Sequence, residues 1–352
     1  MEHGQANEPT ITEQPRTAET RGPFFLTCGS FVPGEADRFL ASQTDPVRRL
    51  ICETELFCYR GHPDRCLALS SELKRTGNPD AVMTALLSDV FSALSLGNTD
   101  LLFGALRQLE EDAARESDPQ RRQAIDYFLS FFNLLTCNRS EMHFPVIDVN
   151  AFSLPEAVLP FVIYNHAYQL ILCGDYGRAI GLAEGALIRM RCRTPVPEIF
   201  LSLITSTGYL CRLEWDKADY YFRHAWEIAA PDRLFLPFVL HKPMLSGMME
   251  RYVRYSEPDI FKMISHKFGT FYKNWVTVHN LLTGEHLTDQ LTVTELNVAV
   301  LASRGLSNQE IAGYLCVSVN SVRSHLRNIF NKLEITNRKK LSEFVVSFPQ
   351  MF

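Results

Sequence analysis

The stretch GLSNQEIAGYLCVSVNSVRSHLRNIFNKLEITNRKKL, residues 305–341, decides the fold at the C-terminal end of this chain. Ser307 followed by a glutamate three positions later is a capping box, which predicts the start of a short helix. A turn at 316–318 separates it from a second helix, capped by Ser318 or Asn320, whose apolar residues recur at steps of four and three. The stretch therefore predicts two helices joined by a tight turn.

A third helix is predicted just before this pair. Thr292 and Glu295 form another capping box at its start, and Gly305 stands where the helix can end in a left-handed conformation. Leu296 begins its apolar stripe. Three short helices with one apolar stripe each predict a small helical domain at the end of the chain.

Charge is concentrated on one side of the last of these helices. Six arginines and lysines lie within the 18 residues from Arg323 to Lys340, although the whole chain carries a net charge of −5. Residues 289–352 carry +2 and the rest of the chain −7, so affinity for a polyanion belongs to the C-terminal segment. An α-helix fits the major groove of DNA, where basic, serine and asparagine side chains contact phosphates and base edges. The pattern predicts a helix-turn-helix that binds DNA.

The segment resembles the LuxR-type DNA-binding domain over about 55 residues. The matching positions are Leu291, Thr292, Glu295, the block from Gly305 to Ala312 other than Gln309, Leu315, Ser318, Val322, His325, Ile329, Lys332, Leu333, Asn337, Arg338 and Leu341. The resemblance implies a four-helix module in which the third helix is the recognition helix. It also implies that the fourth helix, about residues 338–347, makes the dimer contact.

The resemblance also suggests which side chains face DNA. Positions matching Arg323, Ser324 and Arg327 usually do so in this family, and Ser321 stands where a threonine is commoner. Cys316 departs from the pattern, because glycine is usual in this turn; if its φ is positive, cysteine costs on the order of 1 kcal/mol there. The candidate DNA-contacting residues are Asn320, Ser321, Arg323, Ser324, Arg327, Asn328, Asn331, Lys332 and Lys339.

The region before residue 283 is helical by pattern and repeats weakly. Residues 165–190 and 206–229 each predict a helix, a turn and a second helix that begins with a small residue. Three aligned pairs fall 39 positions apart: Tyr176 with Trp215, Ala179 with Ala218, and Ala186 with Ala225. Fainter turns of the same kind, spaced about 36 to 42 residues, start near Gly61, Gly97, Cys137 and Ser256. The units resemble tetratricopeptide repeats.

That resemblance implies a solenoid of helix pairs with a continuous core and a concave surface for a partner. Two aromatic-rich stretches, DYFLSFFNLL at 126–135 and LPFVIYNHAYQL at 159–170, either line such a groove or form the core of the stack. Aromatic residues at helical spacing are more often core. The sequence alone therefore names no ligand-binding residue in this region.

Composition narrows the possible functions. The chain is 46% hydrophobic and has nine cysteines without metal-ligand spacing. It has no apolar run of the ~18 residues that would span a bilayer. No motif for binding nucleotide phosphates or dinucleotides, or for hydrolase or metalloprotease chemistry, is present. We therefore expect a cytoplasmic protein without a membrane segment, enzymatic activity, cofactor or metal.

The sequence thus predicts an all-α fold, a tetratricopeptide-like solenoid followed by a four-helix LuxR-type helix-turn-helix domain. We expect a disordered tail at 1–22, a sensor or docking domain at 23–282, a linker at 283–290 and the DNA-binding domain at 291–352. The predicted function is transcription regulation by a homodimer, joined through its last helix, on a pseudo-palindromic operator in double-stranded DNA. An unknown peptide, small molecule or protein on the repeats would control it. The alternative is a protein-protein adaptor in which the repeats dominate and DNA binding is lost.

Overall fold

The described residues of the computed structural model are 26–136, 158–190, 194–245, 247–284 and 291–341. Within these ranges the chain forms helices joined by turns and loops and contains no strand, which confirms the predicted all-α fold class. The predicted tail at 1–22 and most of the predicted linker at 283–290 lie outside them.

The helices begin where local sequence favours a start. In chain order they are α1 (Ala36–Ser42), α2 (Pro46–Tyr59), α3 (Pro63–Arg75), α4 (Pro79–Leu96), α5 (Thr99–Arg115), α6 (Pro119–Leu135), α7 (Leu159–Leu172), α8 (Tyr176–Arg189), α9 (Pro195–Cys211), α10 (Trp215–Ala229), α11 (Leu236–His241), α12 (Met248–Tyr252), α13 (Pro258–Thr283), α14 (Val293–Ser303), α15 (Asn308–Leu315) and α16 (Val319–Lys332). Several start at a proline, whose missing N–H leaves no bond unmade in the first turn. Asp45 and Asn78 cap two of these helices by accepting backbone N–H groups.

Helices α2 to α10 pack as a succession in which each contacts the next. The two predicted repeat units are the pairs α7 with α8 and α9 with α10, and the aligned alanines Ala179 and Ala218 are buried. The predicted turns at Gly61 and Gly97 also join helices of a pair, whereas the one at Cys137 lies outside the described residues. The turn at Ser256 leads into a single 26-residue helix, α13. The succession is that of stacked helix pairs.

The two ends of this stack meet. The carboxylate of Asp232, after α10, accepts hydrogen bonds from the backbone N–H groups of Gly34 and Ala36 at 2.6 and 2.9 Å. Helix α13 runs back across α4, and Trp275 Nε1 donates to the carbonyl of Leu135 at 2.8 Å. Helix α11 packs against α2, α9 and α13. The inner side, expected as an open concave surface, is therefore covered by α11 and α13, because removing its aromatic side chains from water lowers the free energy.

Helix α4 is the one helix in the described part of the chain that is long and apolar enough to cross a membrane by composition alone. Of its 18-residue window, 67% is buried inside the fold, including Val90 and Leu94. It contacts α2, α3, α5, α6 and α13. Helix α4 is therefore a core helix of the part formed by α1 to α13, which we name the helical region.

Candidate nucleic-acid interface

Two capping boxes start the first two helices of the C-terminal domain. Thr292 accepts from the Glu295 N–H at 3.3 Å, and the Glu295 carboxylate accepts from the Thr292 N–H at 2.8 Å. Ser307 and Glu310 make the same reciprocal pair at 3.2 and 2.7 Å. Each box satisfies two backbone donors that a helix end leaves free. Both were predicted from the sequence, and both are confirmed.

The tight turn of the helix-turn-helix passes through a left-handed residue. Cys316 ends α15 with φ 54° and ψ 46°, the region where a side chain crowds the backbone. The Ser318 hydroxyl then accepts from the Ser321 N–H at 3.0 Å, so Ser318 rather than Asn320 caps α16. Cys316 therefore has the positive φ that was considered for this turn. The strain that this conformation costs lies in the turn that sets the orientation of α16.

Helix α16 has one buried and one exposed face. Val322, Leu326 and Ile329 are buried against α14 and α15. The opposite face is exposed and carries six of the candidates: Asn320, Arg323, Ser324, Arg327, Asn328 and Asn331. Arg323 Nη1 donates to Asn320 Oδ1 at 3.1 Å, which orients the guanidinium along this face. We name this exposed face the recognition face.

The remaining candidates lie at its margin. Ser321 is half-buried and its hydroxyl lies 2.8 Å from that of Ser318. Lys339 is exposed in the short helical stretch at residues 338–341. The rest of the predicted fourth helix, with its dimer contact, lies outside the described residues.

Lys332 and Arg338 bind within the domain, which sequence reasoning missed. Lys332 Nζ lies 2.7 Å from Glu295 Oε2, so this candidate pairs with a capping-box carboxylate. Burial raises the pKa of Glu295, but the hydrogen bonds from Lys332 and Thr292 outweigh it and lower the pKa overall. Arg338 donates to the backbone carbonyls of Ala302 and Leu306. Two of the six clustered cations thus hold the helices together.

The opposite side of the domain docks on the helical region. Tyr314 of α15 is buried with its ring centroid 4.7 Å from that of Trp215, and the Arg251 guanidinium lies 5.9 Å from the same ring. Gly247 approaches so closely that a Cβ there would lie 2.4 Å from Leu315. These contacts join α15 to α10 and α12. No local sequence signal predicted them.

Polar groups complete this docking surface. Asn297 Nδ2 of α14 donates to Glu250 Oε1 at 3.2 Å, and Lys242 Nζ lies 2.9 Å from the same oxygen. Arg304 Nη2 lies 3.5 Å from the Cys211 sulfur. The recognition face takes no part in these contacts, so it lies on a different side of the domain from the docking surface.

The C-terminal segment also matches a family of known proteins. Residues 289–345 match the family of bacterial regulatory proteins named luxR. The C-terminal domain belongs to the LuxR family. The predicted resemblance is therefore confirmed for this LuxR domain, while the resemblance of the helix pairs to tetratricopeptide repeats stays a prediction.

Curated relatives match parts of the chain. The HTH-type transcriptional regulator MalT of Serratia proteamaculans is 36% identical over 184 residues, which cover 50% of this chain and 19% of that protein. The response regulator protein VraR of Staphylococcus aureus is 38% identical over 52 residues, 15% of this chain and 25% of that protein. The MalT match is far longer than residues 289–345 and so includes residues before the LuxR domain. No solved structure matches this chain.

Proposed function

We propose that this protein is a sequence-specific DNA-binding transcription regulator whose helical region controls its LuxR domain. The observation that carries the proposal is the recognition face of α16, which exposes two arginines among asparagine and serine side chains on a LuxR-family domain. Two relatives named as regulators support the same class. Such a protein acts in the cytoplasm, where bacterial DNA lies, and needs no catalytic group.

In this proposal α16 enters the major groove. Arg323 and Arg327 lie one helical turn apart on the exposed face and are placed to reach guanine edges or phosphates. Lys339 follows the recognition helix and contacts the phosphate backbone. Lys332 contributes less, because its ammonium is paired with Glu295. Two copies joined through the fourth helix would read a pseudo-palindrome with half-sites about one helical turn apart.

The docking contacts support a mechanism in which the helical region controls DNA binding by setting the position of the LuxR domain, not by covering its recognition face. Helices α14 and α15 hold the LuxR domain against the helical region while the recognition face stays exposed. A docked domain is therefore competent to meet one half-site. Whether two domains meet both half-sites depends on how the helical region sets their separation. A ligand, peptide or protein that shifts the docking surface would thereby change operator affinity.

The test is selection of bound sequences from a random duplex library at one fixed salt concentration, with full-length protein. Arg323→Ala and Arg327→Ala should each weaken binding of the selected duplex by roughly 1 to 3 kcal/mol, and Lys339→Ala should lower the salt slope by about one unit. Arg107→Ala, an exposed arginine on α5, is the matched control and should change neither quantity. If the two arginine variants lost the same affinity for every DNA sequence, Arg323 and Arg327 would contact only phosphates and would not read bases.

The adaptor alternative makes the opposite prediction. If the helix stack dominates and DNA binding is lost, selection enriches no sequence and the arginine variants behave like the wild type. The exposed arginines of the recognition face favour the regulator, because a domain that no longer binds DNA would not need two exposed arginines on one helix face.

A further inference from the structure

A cavity of about 100 Å³ lies inside the helical region. Helices α2, α4, α6, α7 and α9 contribute side chains to its wall, and α11 closes it with Leu236 and Leu240. Much of the wall is aromatic, with Phe91, Phe161 and Phe200 among its rings. The centroids of Phe161 and Phe200 lie 5.3 Å apart. A flat apolar molecule would find ring faces and edges to pack against here.

One polar side chain in this wall lacks hydrogen-bond partners. Asn165 of α7 is 3% exposed, and in the described part of the chain neither its Oδ1 nor its Nδ2 makes a hydrogen bond. A buried donor and acceptor left unpaired cost free energy, and a leucine would fill the same position without that cost. A bound molecule that supplies both partners explains why an amide stands there.

The cavity is suited to a neutral guest. Its acidic side chain, Glu55, accepts hydrogen bonds from the Leu26 N–H at 2.6 Å and the Thr27 hydroxyl at 2.8 Å. Burial raises the pKa of Glu55 to about 8, so this carboxyl is mostly protonated at neutral pH. Among the described residues, the lining includes no lysine, arginine or histidine. A guest with a formal charge would therefore be buried without a counter-ion.

We propose that this cavity binds a small neutral molecule that has one flat ring and an N–H next to a carbonyl, as in a lactam. The carbonyl accepts from Asn165 Nδ2 and the N–H donates to Asn165 Oδ1, so one reciprocal pair completes the buried amide. A cavity of roughly 150 Å³ holds benzene, so a space of about 100 Å³ limits the guest to a single small ring. A peptide segment does not fit this space.

The cavity is also connected to the LuxR domain. Leu240 of the cavity wall lies two residues before Lys242, whose buried ammonium pairs with Glu250. Glu250 in turn accepts from Asn297 of the LuxR domain. A guest that packs against α11 therefore touches the helix that anchors the docking surface. This signalling role rests on the proposed function, whereas binding to the cavity does not.

Titration calorimetry of the full-length protein tests the binding. The probe is 2-pyridone, a flat ring with an N–H beside a carbonyl, and N-methyl-2-pyridone is the matched compound without the donor. We expect 2-pyridone to bind at least tenfold more tightly than the methylated compound. Asn165→Leu should weaken 2-pyridone binding at least tenfold while leaving Tm unchanged or higher, because it removes an unpaired amide.

A second variant separates binding from folding. Asn274 Nδ2 donates to the Ser95 carbonyl at 2.9 Å, so Asn274→Leu should lower Tm and leave 2-pyridone binding unchanged. Absence of 2-pyridone binding to the wild type, or equal binding by Asn165→Leu, overturns the proposal. A lower Tm for Asn165→Leu also counts against it, because the amide would then serve the fold.

The regulatory role is measured apart from the site, as the affinity for the selected duplex with and without 2-pyridone. A change in duplex affinity that Asn165→Leu abolishes supports the sensory role. Binding of 2-pyridone without such a change overturns the sensory role and leaves the site standing. A protein that binds 2-pyridone but no duplex overturns the proposed function alone.

Discussion

The hydrogen bonds that start the helices of the LuxR domain and those that close the helical region span very different distances along the chain. In the LuxR domain, Thr292 and Ser307 accept from N–H groups three residues later. In the helical region, Asp232 accepts from Gly34, 198 residues earlier, and Trp275 donates to Leu135, 140 residues earlier. Interactions of the first kind form wherever the local sequence is present. Those of the second kind need the whole stack, so we expect single changes to affect the helical region more strongly.

The largest expected effect is a pH dependence of the helical region that arises from Glu55. Burial raises its pKa from the ordinary 4.5 to about 8, so the folded protein holds this proton more tightly than the unfolded chain. Its contribution to the free energy of unfolding is full below pH 4.5 and is lost as the pH rises toward about 8. The slope is at most roughly 1.4 kcal/mol per pH unit. Urea denaturation at several pH values between about 5 and 8 measures it.

Glu55→Gln is the matched control for this pH dependence. It keeps the size and an acceptor oxygen but has no proton to lose, so the loss of stability that Glu55 causes in the wild type as the pH rises should be absent from the variant. His241 contributes the opposite slope, because burial lowers its pKa from 6.5 to about 4 and its stabilisation is lost as the pH falls. That contribution is common to both proteins and cancels in their difference. If the stability of the wild type and of Glu55→Gln changed with pH in the same way, Glu55 would be ionised in the folded protein. The argument that the cavity takes a neutral guest would then fail.

The next effect compares a long-range contact with a local one. Asp232→Ala leaves the backbone N–H groups of Gly34 and Ala36 without their carboxylate, and two such charge-assisted bonds are worth about 3 kcal/mol together. Ser307→Ala removes one capping interaction in the LuxR domain and should cost about 1 kcal/mol. Urea midpoints of the two variants give both values. If both variants lost the same free energy of unfolding, the contact that closes the stack would contribute no more to stability than one helix cap.

The same difference explains how much the sequence could predict. In the LuxR domain both capping boxes and the exposed face of α16 were predicted, because each depends on residues within one or two turns, whereas a positive φ at Cys316 was considered only as a condition. The pairing of Lys332 with Glu295 was not, since it joins residues 37 positions apart. Nor was the docking of Tyr314, because a single tyrosine on a helix does not indicate which surface will cover it.

In the helical region, the sequence predicted the features that depend on residues close together in the chain and missed those that depend on distant ones. The alanines at 39-residue spacing and the glycine turns indicated helix pairs, and the structure confirms those pairs. The cavity and Asn165 were missed, although Asn165 stands within the quoted stretch at 159–170. Its neighbours in space come from helices far apart in the chain. Leu236 and Leu240 of α11, which close the cavity wall, also lie far along the chain from Asn165.

The smallest expected effect concerns two left-handed residues, one in each part of the molecule. Cys316 has φ 54° and Leu213 has φ 60°, and the first repeat carries Gly174, with φ 78°, at the position 39 residues before Leu213. A side chain costs roughly 1–2 kcal/mol in this conformation, and glycine gives back about 0.5–1 kcal/mol through its greater unfolded entropy. Cys316→Gly and Leu213→Gly should each stabilise the protein by about 0.5–1 kcal/mol.

Both residues are exposed, Leu213 by 44%, so glycine removes little packing at either turn. Urea midpoints measure both gains, and Gly174→Ala, which introduces the strain instead of removing it, should shift the midpoint the other way. Equal gains would mean that turn strain is local in both parts, whatever the range of their other contacts. If only Leu213→Gly lowered the midpoint, the packing of the leucine side chain against the stack would outweigh its backbone strain. The difference between local and long-range contacts would then apply to the turns as well.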